Sequence, residues 1–332
     1  MSLLHRRTRR RRPVVVIVCA AVGLLLALVN ARAVILLRTA DPEANTFGPT
    51  APGDVESGWD YQGFWGDFLG TPIAPHFFVS AAHVGHQGTF VFRGANYAVV
   101  QGFHDPATDL MIWEVAEEFP EFAPLYSRRD EVGRRMIEFG RGTQRGAAVR
   151  LNGAMRGWYW GAADKRQRWG ANIVSAILSY APDNDLLVAK FNKRGLPNEC
   201  HLSSGDSGGA AFIKDGDTWK LAGINFAVDG PFYTSPDEGT KFDAALFDAR
   251  GFYYQENDTF QRISGPRRVP SALYPTRIST RLAWIASVLA APKVTREGNF
   301  ATISYTRLLL PAAEVSYSVL QSTDAKEWTA VT

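Results

Sequence analysis

An all-β sandwich or barrel is the expected fold for the body of this chain, on three observations. From about residue 47 to residue 247, short segments rich in Val, Ile, Phe, Tyr and Trp are separated by Gly, Pro, Asp and Asn. The segments are closely spaced with turn residues between them, which is the pattern of many short strands. No regular 3.6-residue apolar repeat runs through the region, which argues against long amphipathic helices. The chain has 332 residues, 46% apolar, 12% aromatic and 21% charged. That composition is too apolar for a disordered protein, and the length suits one large domain or two medium ones.

Strands are expected over 77–82, 89–92, 97–103, 110–115, 135–139, 186–191, 210–213 and 220–226. Each run is rich in β-branched, aromatic or other apolar residues and is bounded by residues that turn the chain. Helical spacing emerges only near the end, where Ile278, Leu282, Ile285, Val288 and Leu289 fall on one face. Ser279 or Thr280 stands where a cap is needed, and Pro292 stops the helix. Residues 292–332 read as a separate piece with strands expected at 302–306 and 314–320. A segment of about forty residues does not hold its own core without metal or disulfides. It is therefore a C-terminal β extension packed on the main domain or a truncated β-sandwich module.

Residues 1–33 read as an export signal. A basic stretch ending at Arg12 is followed by an apolar run from Val14 to Val29 and then by Ala31-Arg32-Ala33, a small-x-small cleavage site. The alternative is an uncleaved membrane anchor, although the run is a little short for a spanning helix. Either way the body, residues 34–291, is expected outside the cytoplasm, secreted or periplasmic. Membrane contact is expected only through the leader, if it is retained.

The formal charge of +3 belongs to that leader. Seven of the 36 basic residues lie within the first 33 positions and no acid does, leaving 29 basic against 33 acidic residues and a net charge of −4 beyond them. A nucleic-acid footprint spread over the folded body is not expected. Cys19 lies in the leader, so Cys200 stands alone in the mature chain and has no intramolecular disulfide partner. A lone cysteine reads as a small buried hydrophobe.

Three short segments carry chemistry. Phe78-Val79-Ser80-Ala81-Ala82-His83 places a histidine after an apolar strand and two small residues. Asp109-Leu110-Met111-Ile112 places an acid directly before an apolar strand, a better fit than Asp105 four residues earlier. Ser204-Gly205-Asp206-Ser207-Gly208-Gly209 places a serine in a glycine-rich turn before another strand. His86 and His104 lack the small-residue context of His83. The scattered histidines show no metal-ligand spacing such as His-x-x-x-His. No metal or organic cofactor is expected.

Singly, each segment has an ordinary reading as turn chemistry or a packed side chain. Together, in the order His, Asp, Ser, they resemble the trypsin/chymotrypsin-like serine peptidases, and the segment 274–285 resembles that family's closing helix. The likeness covers roughly residues 47–291, and the short His–Asp interval and missing disulfides look like compact bacterial members. It implies two antiparallel six-stranded β-barrels with a cleft between them. His83 is then the general base, Asp109 holds its tautomer, and Ser207 is the nucleophile. Gly205 and Ser207 would offer their N–H groups as an oxyanion hole.

The resemblance also assigns Asp206 a buried pairing with a new α-amine, which cleavage after Ala33 would create at Val34. The alternative is an Asp206 satisfied internally. The pocket floor implied by the resemblance is His201, where an aspartate would have indicated cleavage after Lys or Arg. Ser203 stands where that family usually has a cysteine, and the facing strand Gly223-Ile224-Asn225-Phe226-Ala227-Val228 departs from its usual Ser-Trp-Gly, with Phe226, Ala227 and Val228 expected to narrow or reshape the pocket. Trp158-Tyr159-Trp160 reads as core or loop anchoring, with lining of the cleft as the alternative. The expected activity is hydrolysis of peptide or protein substrates by a monomer. The alternative is an inactive secreted binding protein on the same fold.

Overall fold

The computed structural model describes residues 34–290 throughout, and beyond them the strand backbones of 293–297, 300–304, 320–321 and 329–330. The leader and Pro292 lie outside the described residues. The body opens with β1 (Ile35–Leu36). A first unit follows, built of β2 (Gly63–Trp65), β3 (Phe68–Ala74), β4 (Phe77–Ala81), β5 (Phe90–Phe92), β6 (Ala95–Tyr97), β7 (Val99–His104) and β8 (Leu110–Val115). Next come β9 (Arg135–Gly140), β10 (Thr143–Leu151), β11 (Ala154–Ala163), β12 (Arg168–Ala181), β13 (Asn184–Lys190) and β14 (Cys200–His201). The remaining strands of the body are β15 (Ala210–Asp215), β16 (Thr218–Val228), β17 (Phe232–Tyr233), β18 (Lys241–Phe242), β19 (Ala244–Leu246), β20 (Tyr253–Glu256), β21 (Thr259–Arg262) and β22 (Ala272–Arg277), followed by α1 (Leu282–Leu289).

Two antiparallel β units result. The first is a seven-stranded sheet ordered β6-β5-β2-β3-β4-β8-β7. Its two edge strands are consecutive and separated only by Ala98, so one bent strand serves both edges and the sheet wraps on itself. Trp65, Phe78, Phe90, Phe92 and Phe119 fill it, with Phe78 stacked on Phe90 at 3.9 Å between ring centroids. The second is a closed six-stranded barrel ordered β12-β13-β22-β16-β15-β9, filled by Met136, Val174, Leu187, Ile213 and Leu273. Helix α1 returns to bury Leu282, Ile285, Val288 and Leu289 in the core shared with the first unit.

The expected helix forms, but its capping differs. Ser279 Oγ donates to Glu131 Oε1 at 2.5 Å, and Arg281 occupies the N-cap position without a side-chain cap bond. The Arg281 guanidinium instead grips both oxygens of buried Asp105 at 2.7 Å, tying α1 to the turn before β8. A second buried clamp pairs Arg277 with both oxygens of Glu131, at 2.9 and 2.6 Å. Removing one partner strands the other charge in the interior. Glu131→Ala should therefore lower the unfolding free energy by about 3–5 kcal/mol, read as a shifted denaturant midpoint at constant slope.

Strands β2, β3, β12 and β22 of the two units lie outside the expected ranges, residues 274–277 being strand where the closing helix was expected to begin, and two further substructures were also not among the expected strands. Hairpin β10–β11 continues through β19 as a three-stranded sheet. Between β16 and β22 the chain also makes a four-stranded sheet ordered β18-β17-β20-β21. Val149, Phe232, Leu246 and Phe252 join the two in a small core of their own. In the C-terminal piece, β23 (Lys293–Glu297) pairs with β24 (Phe300–Ser304), and β25 (Leu320–Gln321) with β26 (Thr329–Ala330). Of the two strands expected there, 302–304 falls in β24 and Leu320 in β25, while residues 305–306 and 314–319 lie outside the described residues.

Candidate active site

Strand β4 delivers His83. It ends at Ala81, and the 3-10 turn Ala82–Val84 follows, fixed by a bond from the Ala82 N–H to the Asp109 carbonyl at 2.7 Å. Large side chains at 81 and 82 would crowd this approach of two loops. Asp109 comes from the turn before β8, which Asp105 organises by accepting from the Ala107 N–H at 3.1 Å and the Thr108 hydroxyl at 2.7 Å. Asp105 is thus committed to its turn and to Arg281. His86 packs edge-on against Trp65 and Trp113.

Asp109 Oδ1 accepts the His83 backbone N–H at 3.0 Å, and Oδ2 lies 2.6 Å from His83 Nδ1. Across the ring, Nε2 lies 2.8 Å from Ser207 Oγ. A carboxylate at Nδ1 selects the tautomer with its proton there, which leaves Nε2 to accept the serine O–H. The imidazole is 41% exposed and the Asp109 side chain 15%, so the histidine faces the cleft while its orienting acid is shielded.

Ser207 sits in the turn joining β14 to β15. Gly205 there has φ of +92°, and a Cβ would lie 2.9 Å from Gly142 Cα, so the turn needs glycine. The N–H groups of Asp206, Gly208 and Gly209 are taken by the carbonyls of Ser203, Asn225 and Asp206. Those of Gly205 and Ser207 have no acceptor among the described residues. Two free N–H groups beside a serine oxygen can receive an anion there.

The Asp206 carboxyl is buried. Its oxygens accept from the Gly142 N–H at 2.8 Å, the Ser203 N–H at 2.7 Å and Ser203 Oγ at 3.0 Å, and the Val34 N–H also bonds to it. A Cβ on Gly140 would lie 2.0 Å from Asp206 Oδ1, so a larger residue there would evict the carboxyl. Burial pushes Asp206 up from 3.8 to about 6. Glu138, two residues before Gly140 on the same face of β9, is fully buried with neither oxygen hydrogen-bonded, and burial together with Asp206 holds it well above the usual carboxylate range. Val34, Leu36 and Cys200 form an apolar cluster beside these acids. Val34 holds φ of +53°, a conformation strained for a β-branched residue. Strand β1 pairs with β14, and Arg145 donates to the Leu37 carbonyl at 2.9 Å while stacking on Trp158 at 3.5 Å. Cys200 is buried, and burial pushes its thiol up, as befits a core residue.

Beside Ser207 lies a cavity of about 130 Å³ lined by Trp160, Leu202, Ser203, Phe226, Ala227 and Val228, among others. The position implied as its floor is corrected here: His201 is fully buried and does not line the cavity. Its Nδ1 lies 2.6 Å from the Leu202 carbonyl and its Nε2 3.1 Å from Ser271 Oγ. Burial lowers its basicity, so the imidazole is neutral near pH 7 and offers an acidic side chain no charge. Trp160 anchors β11 and lines the cavity as well. Strand β15 begins opposite Ile224, so past Asn225 the cleft edge of β16 at Phe226–Val228 is uncovered.

A closed six-stranded barrel, a curled β sheet before it and a helix after it surround one His-Asp-Ser arrangement. The fold is trypsin-like. Solved structures similar to this chain include neuropsin, a serine protease expressed in the limbic system of mouse brain, with a TM-score of 0.45 and 14% identity over 70% of this chain and 96% of that one. Human heparin binding protein aligns with a TM-score of 0.43 and 14% identity over 70% of this chain and 93% of that one. Neither a family model nor a curated protein matches the sequence. Trp160 of the β10–β11 hairpin reaches the cavity beside Ser207.

Proposed function

We propose that this chain is an exported serine endopeptidase that hydrolyses peptide bonds through an acyl-enzyme on Ser207. The observation that carries the reading is the unbroken path Asp109–His83–Ser207, at 2.6 and 2.8 Å, beside two unused N–H groups. A serine hydroxyl attacks poorly unless a base takes its proton as it attacks, and neutral His83 Nε2 is placed to do so. Asp109 stabilises the imidazolium that forms. The Gly205 and Ser207 N–H groups receive the negative oxygen of the tetrahedral intermediate. His83 then returns the proton to the leaving amine, and water repeats the sequence to release the acid. The uncovered edge of β16 offers an extended peptide main-chain pairing beside the serine.

Export rests on the leader, and the burial of Val34 with its N–H on Asp206 supports cleavage after Ala33. The freed α-ammonium would then pair with Asp206 and hold the turn that carries Gly205. The deciding measurement is intact mass after treatment with a fluorophosphonate. One phosphonyl adduct, absent in Ser207→Ala, is expected, on a chain beginning at Val34. A folded protein that takes up no adduct would overturn the peptidase reading in favour of a binding protein. Gly205→Ala keeps the N–H but displaces it, because its Cβ meets Gly142; it should keep the adduct site yet lower peptide turnover by about 10²–10³, as when an oxyanion donor is lost, measured as kcat on a fluorogenic peptide.

A further inference from the structure

Strand β9 carries into the second barrel an acid that the path Asp109–His83–Ser207 does not use. Glu138 is fully buried, and neither of its oxygens has a hydrogen-bond partner among the described residues. Asn225 adds a third buried acceptor: its Nδ2 donates to the Phe139 and Asp206 carbonyls at 2.8 and 3.0 Å, while its Oδ1 is unpartnered. Polar atoms are kept in an interior at such cost where a donor meets them. Glu138 stands opposite Gly170 of β12 and Ala211 of β15. A Cβ on Gly170 would lie 2.3 Å from Cys200 Cβ, so the cysteine occupies the space over Gly170, beside Glu138. Val34 and Leu36 pack with Cys200, and the Val34 N–H already reaches Asp206. The titratable groups facing Glu138 are thus Asp206 of the serine turn and Cys200 of β14. The start of the body, β12 and β15 present only small or apolar side chains there, and no cation among the described residues pairs with either acid.

Two neighbouring acids with unused oxygens suit a cation that brings several N–H groups. Hydrolysis of the Ala33–Val34 bond makes one in place. Water adds across the amide, leaving a carboxylate on Ala33 and, on Val34, an ammonium with three N–H groups where there was one. We propose that Glu138 is a second acid for the Val34 ammonium, which it shares with Asp206, and that it is thereby a positioning residue for the turn that carries Gly205 and Ser207. The inference rests on the peptidase reading with cleavage after Ala33 and deepens it. One N–H stays on Asp206, and the two new ones have the Glu138 oxygens to meet. Before cleavage, burial and Asp206 keep Glu138 protonated, and the ammonium then draws that proton off. Two carboxylates hold the ammonium proton more firmly than one, so the turn stays supported to higher pH.

The test compares the wild-type protein, processed to begin at Val34, with Glu138→Gln, which keeps the shape and removes the charge. A free α-amine titrates at about 8, and kcat/KM on a fluorogenic peptide should fall at alkaline pH as the ammonium loses its proton. In Glu138→Gln that fall should come at lower pH by about one unit or more, the effect of removing an opposite charge in contact. Acetylation of the Val34 amine by acetic anhydride, followed by mass spectrometry of the N-terminal peptide, should be several-fold faster in the variant. Glu138→Leu suits the apolar barrel beside Met136 and should move both readouts in the same direction, so a fold lost in one variant does not decide the matter. An alkaline fall and an acetylation rate equal to wild type in either folded variant would overturn the second acid, while fluorophosphonate labelling of Ser207 kept the peptidase reading intact. A labelled protein whose mature chain begins elsewhere than Val34 would overturn the shared ammonium without touching the peptidase reading. Absence of labelling in the wild-type protein would remove both.

Discussion

Replacing His83 by alanine is expected to lower kcat for peptide hydrolysis by about 10⁶-fold, as in unrelated serine enzymes whose base and nucleophile act as a unit. The geometry gives the reason. His83 is the one group in contact with both Asp109 and Ser207, and without it the serine proton has no acceptor. With 41% of its imidazole exposed, little packing is lost, so the denaturant midpoint should move little. Asp109→Asn should cost less, about 10⁴-fold, because it leaves a base present but in the wrong tautomer. Combining His83→Ala with Ser207→Ala should add almost nothing to either alone. Steady-state rates against the concentration of folded protein test all three. Activity of His83→Ala within tenfold of wild type would exclude the mechanism.

The second large effect concerns Asp206, and it changes sign with the state of the chain's start. In the uncut chain the carboxyl is raised from 3.8 to about 6, chiefly by burial. A raised carboxyl favours folding in its protonated form. That contribution is fully present below about pH 3.8 and is lost as pH rises through about 6. The displacement is worth about 3 kcal/mol. A Ser207→Ala chain that keeps residues before Val34 should thus lose about that much stability between pH 4 and 7, and Asp206→Asn should flatten the slope and stabilise it at pH 7. In a chain starting at Val34 the ammonium compensates the carboxylate, so the same substitution should destabilise. It should also slow turnover about 10²–10³-fold by loosening the Gly205 donor. Urea unfolding of the four proteins at pH 5 and pH 7.5 separates the cases. The same sign for Asp206→Asn in both chains would exclude the pairing.

The parts of the site legible in the sequence are those whose signal is local. Ala81-Ala82-His83, Asp109 before an apolar strand, and Gly205-Asp206-Ser207-Gly208 each carry the small or turn-forming neighbours their position needs. The β class and the helix at 282–289 were legible for the same reason, since period and composition act over neighbouring residues. Features set by distant partners were not. His201 turns from the cavity because Ser271, seventy residues on, holds its ring. Ser279 is drawn from capping by Glu131, which lies far upstream. The 229–271 sheet uses strands as short as two residues, too short for any alternation to register. Glu138 sits in a strand that otherwise reads as apolar, and one acid between Ile137 and Phe139 was the signal that something unusual is buried there.

Strand β1 has a consequence for how the molecule is assembled. Its partner, β14, follows β13 in the chain, and Arg145, which grips Leu37, comes from a hairpin made in between. The earliest-made strand of the body has no ladder partner until Cys200 and His201 have been synthesised. Contacts so distant along the chain form late, because a long loop must close before they return any stabilisation. The Asp206 turn, to which the Val34 N–H bonds, therefore gains that support only through a long-range closure. Topology sets a clock: the part of the body made first waits on a partner made much later.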